Sequence, residues 1–470
     1  MPEIIKRSKA LSVNPLKTSA PTGASLAFLG VRRCMPMLHG ALGCTAFAKV
    51  FFVRHFREPI PLQTTAMDQI ATVMNADENV IVGLKAICEK NLPDVIGLPT
   101  TGLSETQGTD IQRLVRDFRA RHPEHAATAI VPVNTPDFVG CFESGFALAL
   151  DAIIDTLVPD VTQMGRHVGR RHRQVNVLAS SMLTPDDIEA IKEWVEAFGL
   201  RPVVVPDVGD SMDGHLIDKP YSPLTFGGAP LAEISTMGES IATLVIGRSI
   251  GAAADRLEAR TGVPTIRFDH LVGLDACDAF TQALSRLSGV AVPAKIERQR
   301  AQLQDAMVDT HFMTGFLRVA LGLEPDLLKG LSDLFAGTGA EIVAAVTPAR
   351  AAVLESVPTA SVHIGDLEDL ERLAAANGAQ LLVCNSHGVE VAKRLGISLL
   401  RAGFPLYDQV GGYARGWVGY RLARQALFDI ANLVLGQHHE IPAYRSIYRD
   451  QPDSEAGARR PQAGAGVVCH

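Results

Sequence analysis

Asp94-Val-Ile-Gly97-Leu-Pro-Thr-Thr-Gly102-Leu-Ser-Glu105 is the stretch from which the architecture can be read. Asp94–Gly97 reads as a strand with no polar alternation, so both of its faces must be covered. It runs into a small polar turn where Thr101 or Ser104 can cap a helix, and an amphipathic segment, Asp110–Ala120, follows. The same order recurs immediately. Ala127–Val133 is apolar apart from Thr128 and leads into Asn134-Thr-Pro-Asp-Phe-Val-Gly140-Cys141. Strand, loop and helix repeated in this way predict α/β units with mainly parallel sheets flanked by helices. Ligand sites in such units lie at the carboxyl ends of the strands.

The pattern extends in both directions. Residues 1–25 are polar, carry Pro15 and Pro21, and read as an extended arm; Ser25–Gly30 is a short strand candidate and Asn79–Asn91 a helix. The basic segment Gln163–Arg173 lacks apolar periodicity and reads as a linker. A second unit follows, with strands at Val175–Leu178, Pro202–Val205, Thr243–Ile246 and Thr265–Ile266 and a helix over Pro185–Phe198. The long helix Ala294–Met313 joins it to a third unit, with strands at Phe316–Leu321, Glu341–Val346 and Leu381–Val383 and a helix over Pro325–Leu334. The expected division is therefore an N-terminal α/β domain over 1–165, a second over 166–292, a third with its linking helix over 293–450, and a flexible tail over 451–470.

Composition agrees with three domains: 470 residues exceed what one core holds, and 47% hydrophobic content with 41 glycines suits α/β units. The net charge of −7 offers no basic footprint for nucleic acid. The most apolar segments, Phe146–Val158 and Ile241–Ala254, are broken by Asp151, Asp155 and Arg248 and are too short to span a bilayer. No apolar stretch follows Lys6, Arg7 and Lys9, so no signal peptide is expected, and the expected setting is the cytoplasm without membrane contact. No Walker A sequence, dinucleotide fingerprint, Cys-x-x-Cys or His-Glu-x-x-His occurs. His438-His439 reads as a solvated surface pair.

The chemistry points to Cys34–Glu58, which holds Cys34, Cys44, His39, His55, Gly40 and Gly43 in twenty-five residues. Cys44 opens the apolar run Phe47, Val50, Phe51, Phe52, read as the start of a buried helix, and a thiol at a helix N-terminus is biased toward the metal-binding thiolate. A small buried residue in a turn is the competing reading. An iron–sulfur cubane needs four ligands. Only Cys34, Cys44 and Cys141 fall in loops expected to converge, and their spacing fits no cluster motif within one chain. If Cys44 binds a cluster, the other thiolates come largely from another polypeptide.

His39-Gly-Ala-Leu-Gly-Cys44, followed by His55-Phe-Arg-Glu-Pro59, resembles the cluster-binding segment of β-type subunits in the nitrogenase component-1 family. Pro99–Glu105, Asn134–Gly140, Asn385-Ser-His-Gly388 and Arg401-Ala-Gly-Phe-Pro405 match further landmarks in order, over roughly residues 12–450. The resemblance implies three Rossmann-like α/β domains. It is nearest to the β-like subunit of the scaffold complex on which the iron–molybdenum cofactor is matured, an assembly role more than an enzymatic one. It implies Cys44 as ligand to a [4Fe-4S] cluster shared with a homologous α-like (NifE-type) partner in an α2β2 heterotetramer. The iron–molybdenum cofactor precursor would be carried mainly by that partner. The nitrogenase iron protein, a precursor donor and the catalytic apo-protein would be transient partners.

In catalytic β subunits three cysteines help hold an eight-iron cluster; the first and third fall at Ser19 and Gly102, where this chain has no thiol. Cys141 and Cys34 are candidates close to the cluster. Arg32, Arg33, His39 and His55 are expected either as donors to the cluster or interface or as solvated surface. Cys88, Cys277 and Cys384 read as core residues, and Cys469 has no evident role. The alternative is a catalytic β-type subunit of a nitrogenase-like reductase, of nitrogenase or dark protochlorophyllide/chlorophyllide reductase type. A sugar- or nucleotide-binding α/β protein whose cysteines are all core is a third reading.

Overall fold

In the computed structural model the described residues are 1–437, except 8, 10, 11, 75, 162–164, 166 and 217–221. The expected tail with Cys469, the His438-His439 pair and part of the Gln163–Arg173 linker lie outside them. Three sheets form, and every pairing among the described strands is parallel. The strands are β1 (Glu3–Ile5), β2 (Cys34–Leu38), β3 (Gln63–Thr64), β4 (Val95–Pro99), β5 (Ala129–Val133), β6 (Gln174–Ala179), β7 (Arg201–Val205) and β8 (Ala242–Ile246), followed by β9 (Thr265–Phe268), β10 (Arg318–Gly322), β11 (Glu341–Thr347), β12 (Ser361–Ile364), β13 (Leu381–Cys384) and β14 (Ser398–Arg401). The first sheet has the order β3-β2-β4-β5, the second β7-β6-β8-β9 and the third β1-β12-β11-β10-β13-β14. Strands β2, β4, β6, β8 and β13 are buried at every residue, so both of their faces are covered; Gln174, Asn176 and Thr243 are buried with the apolar residues of β6 and β8. One continuous apolar core crosses all three units, so the sheets are packed together and not strung apart.

Four local expectations change. Ser25–Gly30 is not a strand: Ala20–Leu29 forms helix α1, with all ten residues buried. A segment covered on every side shows no periodicity, and composition alone cannot separate strand from helix. Its environment explains the burial. A Cβ at Gly23 would lie 1.8 Å from the Phe142 carbonyl oxygen, and one at Gly145 would lie 1.9 Å from the Ala20 oxygen. The α1 backbone thus rests on that of the Phe142–Leu157 helix through reciprocal glycines, while the Phe28 ring lies over Gly97 of β4.

Cys34 is not in a loop either; it begins the central strand β2. The third change is at the N-terminus, where Glu3–Ile5 pairs with Ser361–His363 of β12 and stitches the first residues to the third sheet.

Helix α2 (Leu42–Phe56) follows β2 and is not a buried helix. Thr45, Ala48, Phe52, His55 and Phe56 face inward, whereas Leu42, Phe47, Val50 and Val53 are exposed. Its inner end is tied to the third unit. His55 Nδ1 accepts from the Leu406 N–H at 2.9 Å, and Phe52 packs on Phe404. The landmark residues Asn385, Ser386 and Arg401 hold that loop. Asn385 Nδ2 donates to the Phe404 carbonyl at 2.9 Å, Ser386 Oγ bonds Asp408, and Arg401 Nε donates to Asp408 at 2.8 Å.

Candidate metal centre

Cys44 lies in the first turn of α2, downstream of a tight approach between two strand-end loops. Thr101 Oγ1 and Ser104 Oγ both donate to the His39 carbonyl, at 3.0 and 2.9 Å, and Thr101 N–H donates to Ser104 Oγ. Thr101 and Ser104 thus start the Gly102–Thr106 helix, as the sequence suggests, and also clamp it to the end of β2. Gly40 is required there, since a Cβ would come within 2.4 Å of Thr101 Oγ1. A Cβ at Gly43 would meet nothing within 4 Å, so the space beside Cys44 is open.

Cys44 is exposed, unlike the other five described cysteines. Partial burial, then the charge of Asp137, push its thiol above the ordinary value, although backbone N–H groups of the helix start pull the other way. In the isolated chain the expected helix N-terminal bias is outweighed. A bound metal ion supplies the charge that makes the thiolate.

Around Cys44 the structure gathers residues from three segments. Asp137 Oδ2 accepts from the Gly102 N–H at 3.2 Å, and Lys17 Nζ donates to the Asp137 carbonyl at 2.9 Å. Thr45 Oγ1 and Asp137 Oδ1 are shielded from solvent and have no partner. The surface beside them is apolar: Leu42, Phe47 (71% exposed) and Val50 on α2, with Phe138 (68%) and Val139 next to Asp137. A patch of that kind marks a contact surface for another molecule. No group of three or more His, Cys, Asp or Glu able to hold a metal ion exists among the described residues. A cluster at Cys44 fits only if another chain supplies the remaining ligands.

The other candidates do not face this space. Cys34 is fully buried in the core, where burial pushes its thiol up to about 12. Cys141 begins the Phe142–Leu157 helix, accepts no solvent, and bonds Glu324; burial and the neighbouring carboxylates hold its thiol protonated. His39 is completely buried, with Nδ1 3.0 Å from Thr65 Oγ1, and burial lowers its pKa to about 4. His55 is lowered by burial to about 3. Neither histidine is a surface residue. Arg33 donates to Asp94 at 3.1 Å and to the Leu92 carbonyl at 2.6 Å, while Arg32 is exposed. Asp137 and Lys17 escaped the sequence reading. Asp137 was visible only as part of the Asn134–Gly140 landmark, and Lys17 carried no signal.

The family model described as nitrogenase component 1 type oxidoreductase matches residues 19–435. The chain belongs to the nitrogenase component 1 family. It is 45% identical to the nitrogenase iron-molybdenum cofactor biosynthesis protein NifN of Klebsiella pneumoniae, over 97% of this chain and 98% of that protein. It is 47% identical to the protein of the same name from Nostoc sp. (strain PCC 7120), over 91% and 94%. A solved structure titled Nitrogenase Cp1 at pH 6.5 superposes with a TM-score of 0.84 at 29% identity, covering 97% of this chain and 98% of the other. The three parallel sheets are thus those of a nitrogenase component 1 subunit.

Proposed function

We propose that this chain is a β-like subunit of the scaffold on which the nitrogenase iron–molybdenum cofactor is matured, and that Cys44 is its one ligand to a [4Fe-4S] cluster at the interface with an α-like partner. The observation that carries the site is an exposed thiol opening onto an apolar surface, where the described residues gather no group of three or more His, Cys, Asp or Glu that could hold a metal by themselves. The names of the relatives support the assembly reading over the catalytic one. The absence of thiols at Ser19 and Gly102 argues against a larger cluster.

The cluster would supply one-electron transfer at the interface. This chain's own residues hold the sulfur at a helix start, keep Gly43 clear of it, and exclude water with Leu42, Phe47, Val50 and Phe138. A second apolar stripe, Val308, Phe312 and Phe316, is exposed at the far end of the Ala294–Thr314 helix. Two separate apolar faces support two different contacts, one with the α-like subunit and one that brings two pairs together as α2β2. The cofactor precursor would sit mainly in the partner. The test is Cys44→Ala in the co-expressed complex, with iron content and the EPR signal measured. Loss of the interface four-iron signal is expected, and full retention overturns the assignment.

A further inference from the structure

We propose that Asp137 is a positioning residue for the interface cluster, its carboxylate occupying the corner that a side chain at residue 102 would enter and its charge setting the field around the Cys44 sulfur. This rests on the reading of Cys44 given above. The geometry is local and specific. Gly102 N–H donates to Asp137 Oδ2 at 3.2 Å, and a Cβ at Gly102 would press on Asp137 Cβ at 3.3 Å and lie 3.6 Å from Oδ2. A side chain at residue 102 would crowd this carboxylate, which would have to give by a few tenths of an ångström.

Asp137 Oδ1 remains shielded and without a partner, so the group keeps an unused acceptor where the partner chain would close over Cys44. Lys17 anchors the Asp137 backbone carbonyl, which fixes the loop. A fixed negative charge in a water-poor site disfavours an added electron, so it lowers the reduction potential of a nearby cluster.

The experiment uses the complex co-expressed with its α-like partner and follows iron per pair and an EPR-monitored redox titration. Asp137→Asn, which keeps the shape and removes the charge, is expected to retain the iron and shift the midpoint to a more positive potential. Asp137→Glu is expected to return it toward the wild-type value. An unchanged midpoint in a fully loaded Asp137→Asn complex overturns the proposal. So does weakened pairing at unchanged potential, which would make Asp137 an interface residue only. If Asp137→Asn does not assemble, Gly102→Ala perturbs the same corner, and an unaltered EPR line shape in that variant also overturns it. The Cys44 reading fails separately, by a wild-type complex without a cluster or by Cys44→Ala with its signal intact.

Discussion

Cys44, His39 and His55 come from one short stretch, yet burial assigns them opposite tasks. Cys44 is left outside and is free to bind, whereas the two histidines are locked neutral inside. That neutrality has a pH consequence. The folded-state values of about 4 for His39 and about 3 for His55 lie below the ordinary 6.5. Between those limits the unfolded chain binds protons that the folded chain refuses. Their contribution is therefore complete above pH 6.5 and is lost as pH falls toward 4 and then 3, at about 1.4 kcal/mol per pH unit for each histidine. His55→Gln, which can still accept from the Leu406 N–H, should flatten this slope when urea unfolding is compared at pH 7, 6 and 5. An unchanged slope would show that another group carries it.

At the scale of elements, the crossing of α1 with the Phe142–Leu157 helix is the tightest contact in the first unit. Gly23→Ala places a methyl group on the Phe142 carbonyl oxygen, which is backbone and cannot swing away. Overpacking of this kind costs about 2–3 kcal/mol, and a lowered urea midpoint at unchanged slope is the expected result. The exposed side of α2 behaves differently. Phe47→Asp removes no internal packing, so thermal stability of the isolated chain should hold while co-purification with the α-like partner is lost. Phe312→Asp on the Ala294–Thr314 helix should spare that pairing but leave the complex at half its mass in size-exclusion chromatography.

The three units meet at a group of carboxylates that belongs to the whole molecule. Asp326 N–H donates to Glu143 Oε2 at 2.8 Å, Glu143 N–H to Glu324 Oε2 at 3.3 Å, and Ser249 N–H and Oγ to Asp326 Oδ2 at 3.1 and 2.5 Å. Burial raises Glu324 to about 7 and Asp326 to about 6, and Glu143 well above its ordinary value. The sign here is opposite to that of the histidines. Stability from these groups is complete below the ordinary carboxylate range and is lost as pH rises through about 6 to 7. Glu324→Gln should reduce the fall in melting temperature between pH 5 and pH 8; a fall as steep as the wild type's would exclude Glu324 as its source.

The sequence alone determined the α/β class and most strands to within a few residues, and it singled out Cys44 as the candidate ligand, because two-sided apolar strands and a missing set of thiols are written in residue types; helices such as Leu274–Ser288 and Gly419–Leu435 it did not mark. Asp94–Glu105 and Ala127–Cys141 carried that reading. Only the tertiary structure decided that Ala20–Leu29 is a helix, that Glu3–Ile5 joins the third sheet, and that α2 turns an apolar side to solvent. The same packing turned Cys34 and Cys141 inward and brought Asp137 from a distant loop to the corner beside Gly102. Each of these depends on which faces touch after the sheets dock, and burial across units leaves no periodic trace in any one segment.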